Sequence, residues 1–124
     1  MIKKVININN YWKVIVYYNV NYNFFSIIAK DLKRIKCSKL QIHSIYNRMN
    51  KGTAKAVTIS NIDYKISIVL FNTHETIYDY INSIVHESEH IKQSMLYAYN
   101  IKDEGEKPAY TIGYIAMKLL KILI

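Results

Sequence analysis

The chain has 124 residues, 51% of them hydrophobic, with one Pro, three Gly and one Cys. That length suits one domain, 1–124, and excludes two; the composition supplies ample core and excludes a Pro- or Gly-rich linker, a disordered tail or a disulfide framework. Lys and Arg outnumber Asp and Glu by 17 to 9, giving a net charge of +8, which admits an acidic partner or a nucleic acid.

The opening Met1-Ile2-Lys3-Lys4 is basic, but Val5 to Asn10 is too polar and too short for a secretion signal. Ile2 to Ile8 fits a short strand pairing with Trp12 to Val20, whose β-branched and aromatic run predicts the first full strand. Asn21-Tyr22-Asn23 breaks that run and can cap a helix. Phe24, Phe25, Ile27, Ile28, Leu32 and Ile35 recur at helical spacing, with Lys30, Asp31, Lys33 and Arg34 on the outer side. Cys37 is a lone thiol with no base nearby in sequence, and a buried structural role is its default. Ser38 is placed to cap a second helix that packs Leu40, Ile42, Ile45, Tyr46 and Met49 and ends near Asn50 and Gly52. His43 falls among its core-facing residues and reads as structural.

Eight cations lie between Lys30 and Lys55, among them Lys33, Arg34, Lys36 and Arg48. The block lacks interleaved aromatics and any nucleic-acid motif, so a solvated helix surface is the plainer reading and nucleic-acid association rests on charge alone. Ala54 to Ile62 and Tyr64 to Phe71 predict two strands joined at Asn61-Ile62-Asp63 as an antiparallel hairpin. Thr76 with Asp79 has capping-box spacing, and a long helix is expected from there to about Tyr99. Its buried stripe is expected at Ile77, Ile81, Ile84, Val85, Ile91, Met95 and Leu96, with Asn100 as its left-handed stop. His74, just before this helix, reads as a polar turn residue, with a fourth-ligand or substrate role as the alternative. A last helix carries Pro108 in its first turn and packs Ile112, Ile115, Ala116, Leu119, Leu120 and Leu123. Ile112 to Ile124 is the longest apolar candidate, but Lys118 and Lys121 interrupt it, so no membrane span is expected and the reading is a soluble, intracellular protein.

The long helix contains His86-Glu87-Ser88-Glu89-His90, an H-E-x-x-H sequence. Residues four apart share a helix face, so His86 and His90 can grip one metal ion, with Glu87 beside it. Zinc held by three protein ligands keeps a fourth position for water. The metal acidifies that water and the neighbouring Glu takes its proton, which is hydrolytic chemistry.

Together with Glu106-Lys107-Pro108-Ala109-Tyr110, an E-x-x-A-Y segment, the motif resembles the gluzincin branch of zinc metallopeptidases, nearest to very small, often phage-encoded zincin-like proteins. The resemblance covers residues 80–118. It implies an α+β, minimal zincin-like fold: a small antiparallel or mixed sheet against the H-E-x-x-H helix and a C-terminal helix bearing Glu106. It further implies Zn²⁺ on His86, His90 and Glu106, with Glu87 as general base and a peptide or protein as substrate. Tyr110 and Tyr114 are candidate oxyanion donors, although both can simply pack the last helix. By the same resemblance, an extended substrate would add along Lys65–Phe71 as another strand. The expected compartment is the cytoplasm, of a host cell if phage-encoded. Two rivals stand beside the peptidase: a zincin-like domain that binds zinc for stability or protein interaction without turnover, and a basic nucleic-acid-associated protein.

Glu106 must travel to reach the metal. From His90 to Tyr99 a helix climbs on the order of 13 Å, at about 1.5 Å per residue. Five loop residues span roughly 16 Å when extended, so the return is feasible only if the loop folds back along the helix. Asp103 and Glu104 sit nearer the turn and are harder to bring back, leaving Glu106 first and Glu104 second.

Overall fold

A computed structural model describes residues 1–123, with side chains through residue 122; the side chain of Leu123, expected on the last helix's packing face, lies outside the described residues. Strands β1 (Ile2–Ile8) and β2 (Trp12–Tyr18) pair antiparallel from Ile2↔Tyr18 to Ile8↔Trp12. Asn9 and Asn10 make the turn at φ 52° and 61°, and the Tyr11 N–H donates to the Ile8 carbonyl at 3.0 Å. Two consecutive positive φ angles define the hairpin turn whose twist suits flanking strands, and Asn tolerates them better than most residues. Strands β3 (Ala56–Asn61) and β4 (Ile66–Phe71) form a second antiparallel hairpin. β4 also pairs with β2, in parallel, so the sheet order is β1-β2-β4-β3.

The expectation that Lys65–Phe71 offers a free edge is therefore corrected: β4 is bonded on both sides, and β3 is the open edge on that flank. The burial pattern gives the reason. Ser67 to Phe71 are all buried, as befits an interior strand covered on both faces, whereas every β3 residue is only half-buried.

Helices α1 (Phe25–Arg34) and α2 (Lys39–Asn50) cover one face of the sheet. Phe25, Ile28, Leu32, Ile45 and Met49 meet Tyr17, Ile68 and Leu70 there. Helices α3 (Ile77–Ala98) and α4 (Glu106–Leu120) cover the other face. Tyr80, Ile84, Ile91, Ile115 and Leu119 meet Trp12, Val14, Val16, Val69 and Phe71. The architecture is a mixed four-stranded sheet between two helical layers. Among the described residues no helix is long and apolar enough to cross a membrane.

Local chemistry sets the helix ends. Ser38 caps α2 in a capping box with Gln41. The Thr76 hydroxyl accepts from the Asp79 N–H at 3.1 Å. Asn100, at φ 54°, closes α3: its N–H reaches the Tyr97 carbonyl at 3.2 Å and that of Ile101 reaches Leu96 at 2.9 Å, the paired bonds of a left-handed helix stop. Lys36 does the same work after α1 at φ 73°.

Several expected core positions differ. Phe24, Ile27 and Leu40 are exposed, and so is His43, which is not a core residue. Asp31, placed on the outer side from its charge, is buried: the Tyr17 hydroxyl donates to it at 2.5 Å and Lys3 Nζ lies at 2.9 Å. Burial alone would raise its carboxyl, but the hydrogen bonds from Tyr17 and Lys3 and the charges of Lys3 and Arg34 outweigh burial and hold it below the usual carboxylate range. On α3, Ile77, Ile81 and Val85 are exposed, while Ser83, Glu87, Ser88 and Lys92 are buried. The helix is rotated from its expected setting because its polar inward residues all find partners. Ser88 donates to the Ile84 carbonyl at 2.6 Å, and Lys92 pairs with Glu89 at 2.9 Å and Asp103 at 3.0 Å.

Candidate metal centre

α3 lies over β4 and the edge strand β3, so its outer flank overhangs the edge of the sheet. His86 and His90 occupy that flank, both exposed. Their Nε2 atoms are 3.2 Å apart, with rings at 81°. Two nitrogens bound tetrahedrally to one zinc, at about 2.0–2.1 Å each, stand about 3.3 Å apart. The pair thus has the span of one edge of a zinc tetrahedron. The alternative at this distance is a proton shared between the rings, one donating and one accepting.

Glu87 points inward from the next position, 4% exposed, and its Oε1 accepts from the Thr58 hydroxyl on β3 at 2.9 Å. Both histidines and Glu87 line one hollow of about 750 Å³, walled by Gln41, Ser44 and Arg48 of α2 and floored by β3. Thr58 escaped the sequence reading, and Arg48 was read only as part of the basic block. Thr58 belongs to the alternation Ala56, Thr58, Ser60, which marks the strand face turned to α3. Ser60 continues the polar line, bonding Ser67 at 2.6 Å, and Ser67 in turn accepts from Trp12 Nε1 at 2.9 Å.

Glu106, Tyr110 and Tyr114 are placed elsewhere. They line a different hollow with Asn9 of the β1–β2 turn. Among the described residues, no group of three His, Cys, Asp or Glu side chains is positioned to hold a metal. The loop does fold back along α3, as the reach of Glu106 requires, but it is Asp103, expected to be harder to bring back, that makes the return. It meets Lys92 and, at 2.6 Å, Gln93. Gln93 stands about 60° and Lys92 about 160° around the helix from His90, on the same side at about 100° per residue, so the two hold the loop to one side of the histidine pair. α4 then packs over β1 and β2, where the Tyr18 hydroxyl donates to the Leu119 carbonyl at 2.7 Å.

His74 is a turn residue with both nitrogens engaged, Nδ1 with the Asn72 carbonyl at 2.6 Å and Nε2 with Ser83 Oγ at 2.7 Å. The carbonyl can only accept, so Nδ1 carries the proton and, in the neutral ring, Ser83 donates to Nε2. Cys37 is a free, half-buried thiol whose pKa burial pushes up.

No protein-family model, curated protein or solved structure matches the chain.

Proposed function

We propose that the protein is a zincin-like domain that binds zinc through His86 and His90 and uses it for structure or protein interaction rather than turnover. The observation that carries this reading is the 3.2 Å separation of the two Nε2 atoms on the exposed flank of α3. The donor chemistry fits zinc, which accepts imidazole nitrogen readily, but the chain brings only two such donors to this point. Catalytic zinc sites take three protein ligands and structural ones four. The cytoplasm is the compartment proposed, where reducing conditions keep Cys37 a thiol. Metal analysis after dialysis tests the reading: the parent retains zinc, and His86→Ala and His90→Ala lose it. Equal zinc in the parent and both variants overturns it.

A second reading, the gluzincin-type zinc peptidase, is favoured by Glu87, which lines the same hollow beside the open β3 edge. Zinc would there supply a water of lowered pKa. Glu87 would hold and return the proton, and β3 would bind an extended peptide or protein substrate through its free backbone edge. The third protein ligand would be Glu106, which has to cross from the α4 flank. Incubation with a peptide library separates the readings: cleavage that Glu87→Gln abolishes supports the peptidase, and zinc retention without cleavage supports the interaction domain. The Lys30–Lys55 block leaves nucleic-acid association as a third proposal, resting on charge alone.

A further inference from the structure

We infer that His86 and His90 are half of a four-histidine zinc site completed by a second copy of the chain, joined α3 to α3 about a two-fold axis. The inference rests on the metal reading above and names the partner that completes the site. A closed structural zinc takes four protein ligands, and this chain presents two nitrogens at tetrahedral-edge spacing. Three carboxylates near the pair are already engaged: Glu87 accepts from Thr58, and Glu89 and Asp103 both bind Lys92 and Gln93. A two-fold operator doubles the donor set from two to four, and two-fold dimers are the commonest closed assemblies.

The outer side of α3 also carries apolar residues away from the pair. Tyr78, Ile81 and Val85 form a row at helical spacing along the outer side of α3, 79%, 38% and 49% exposed. Outward helix faces are ordinarily polar. At about 100° per residue Val85 stands about 100° from His86 and about 140° from His90, so the row borders the far side of the exposed face and the histidines alone bring two copies together. Charge decides when that happens. Each copy carries +8, and like charges repel across a Debye length of about 8 Å at physiological salt. Three exposed apolar side chains are too small a patch to overcome that alone, so the metal gates association. In the dimer all four zinc positions are filled, leaving none for a reacting water.

Sedimentation velocity across a zinc titration tests this. The zinc-free chain should be a monomer. The dimer fraction should peak at one zinc per two chains and fall again in excess zinc, when each pair takes its own ion. His90→Ala should stay monomeric throughout. His86→Ala should likewise stay monomeric at every zinc concentration. A monomer holding one zinc per chain from the first addition overturns the inference and leaves the metal reading intact. Zinc-dependent dimers formed by His86→Ala or His90→Ala also overturn it. No zinc uptake at all overturns the metal reading and the inference together.

Discussion

Substituting Glu87 separates its two possible contributions, packing and chemistry. The side chain is 4% exposed and its Oε1 accepts from Thr58 at 2.9 Å. Glu87→Gln keeps the volume and an amide oxygen that can accept the same hydrogen bond. Its effect on stability should therefore stay within about 1 kcal/mol, the net worth of one hydrogen bond. Glu87→Ala removes the acceptor, leaves the Thr58 hydroxyl without its partner and opens space under α3. Thr58 is half-buried and can turn its hydroxyl to water, so Glu87→Ala should lose about 0.5–1.5 kcal/mol, the net worth of the hydrogen bond. Urea denaturation measures both, with an unchanged m-value confirming that stability alone has moved. Zinc content should be unaltered in the Gln variant, because Glu87 is not a ligand. Any peptide cleavage should fall by about 10²–10⁴-fold, the usual contribution of a general base. A Gln variant that loses more than about 3 kcal/mol would refute the reasoning, since the negative charge itself would then be what the site holds. Undiminished cleavage would remove Glu87 from any catalytic role.

The Asp31 carboxyl is held below its unfolded value, so the native state binds fewer protons than the unfolded state in the acid range. Its contribution is full above the unfolded pKa of about 3.9 and is lost as pH falls through the lower folded value; Asp31→Asn should flatten that acid limb in urea melts at stepped pH. Lys36 sits at φ 73°, and Lys36→Gly should stabilise the α1 stop by about 0.5–1 kcal/mol, read as a higher urea midpoint. Lys92→Ala leaves Glu89 and Asp103 without their cation, and amide exchange across 101–105 should quicken while the β2 and β4 amides are unchanged. Reversing Lys33, Arg34 and Lys36 to Glu should leave zinc content unaltered, because none of the three lines the hollow at the histidines.

Elements governed by local chemistry were legible in the chain. The Asn61-Ile62-Asp63 junction of the β3–β4 hairpin, the Ser38 and Thr76 caps and the Asn100 stop depend on residues within a few positions of one another. What depended on distant partners was not legible. Asp31 reads as an outward charge until Tyr17 and Lys3 arrive from the sheet. Ile77, Ile81 and Val85 read as core because helical spacing reports which residues share a face, not which face turns inward. That choice was made by Glu87 meeting Thr58 and by Lys92 meeting Asp103, pairs separated in the chain. The β4 edge was misplaced for a similar reason: pairing with β2 joins strands across α1, α2 and β3, and nothing local announces it.

The same non-local pairing governs the surroundings of the His86–His90 pair. Because β4 pairs with β2, the sheet extends from β4 toward β1 on one side and ends at β3 on the other. α3 shelters the β3 side, and the apolar surface of β1 and β2 remains for α4. Ile115 and Leu119 bury themselves there against Trp12, Val14 and Tyr18. Burying side chains of this kind stabilises by about 1.5–3 kcal/mol each, so α4 is firmly committed to the flank away from the histidines. Glu106 begins that helix and goes where it goes. A carboxylate could cross to the metal only if the first turn of α4 unwound or the loop released Lys92. Without that rearrangement, His86 and His90 reach solvent as a pair of donors, and a metal bound between them would have to take its remaining ligands from outside the chain.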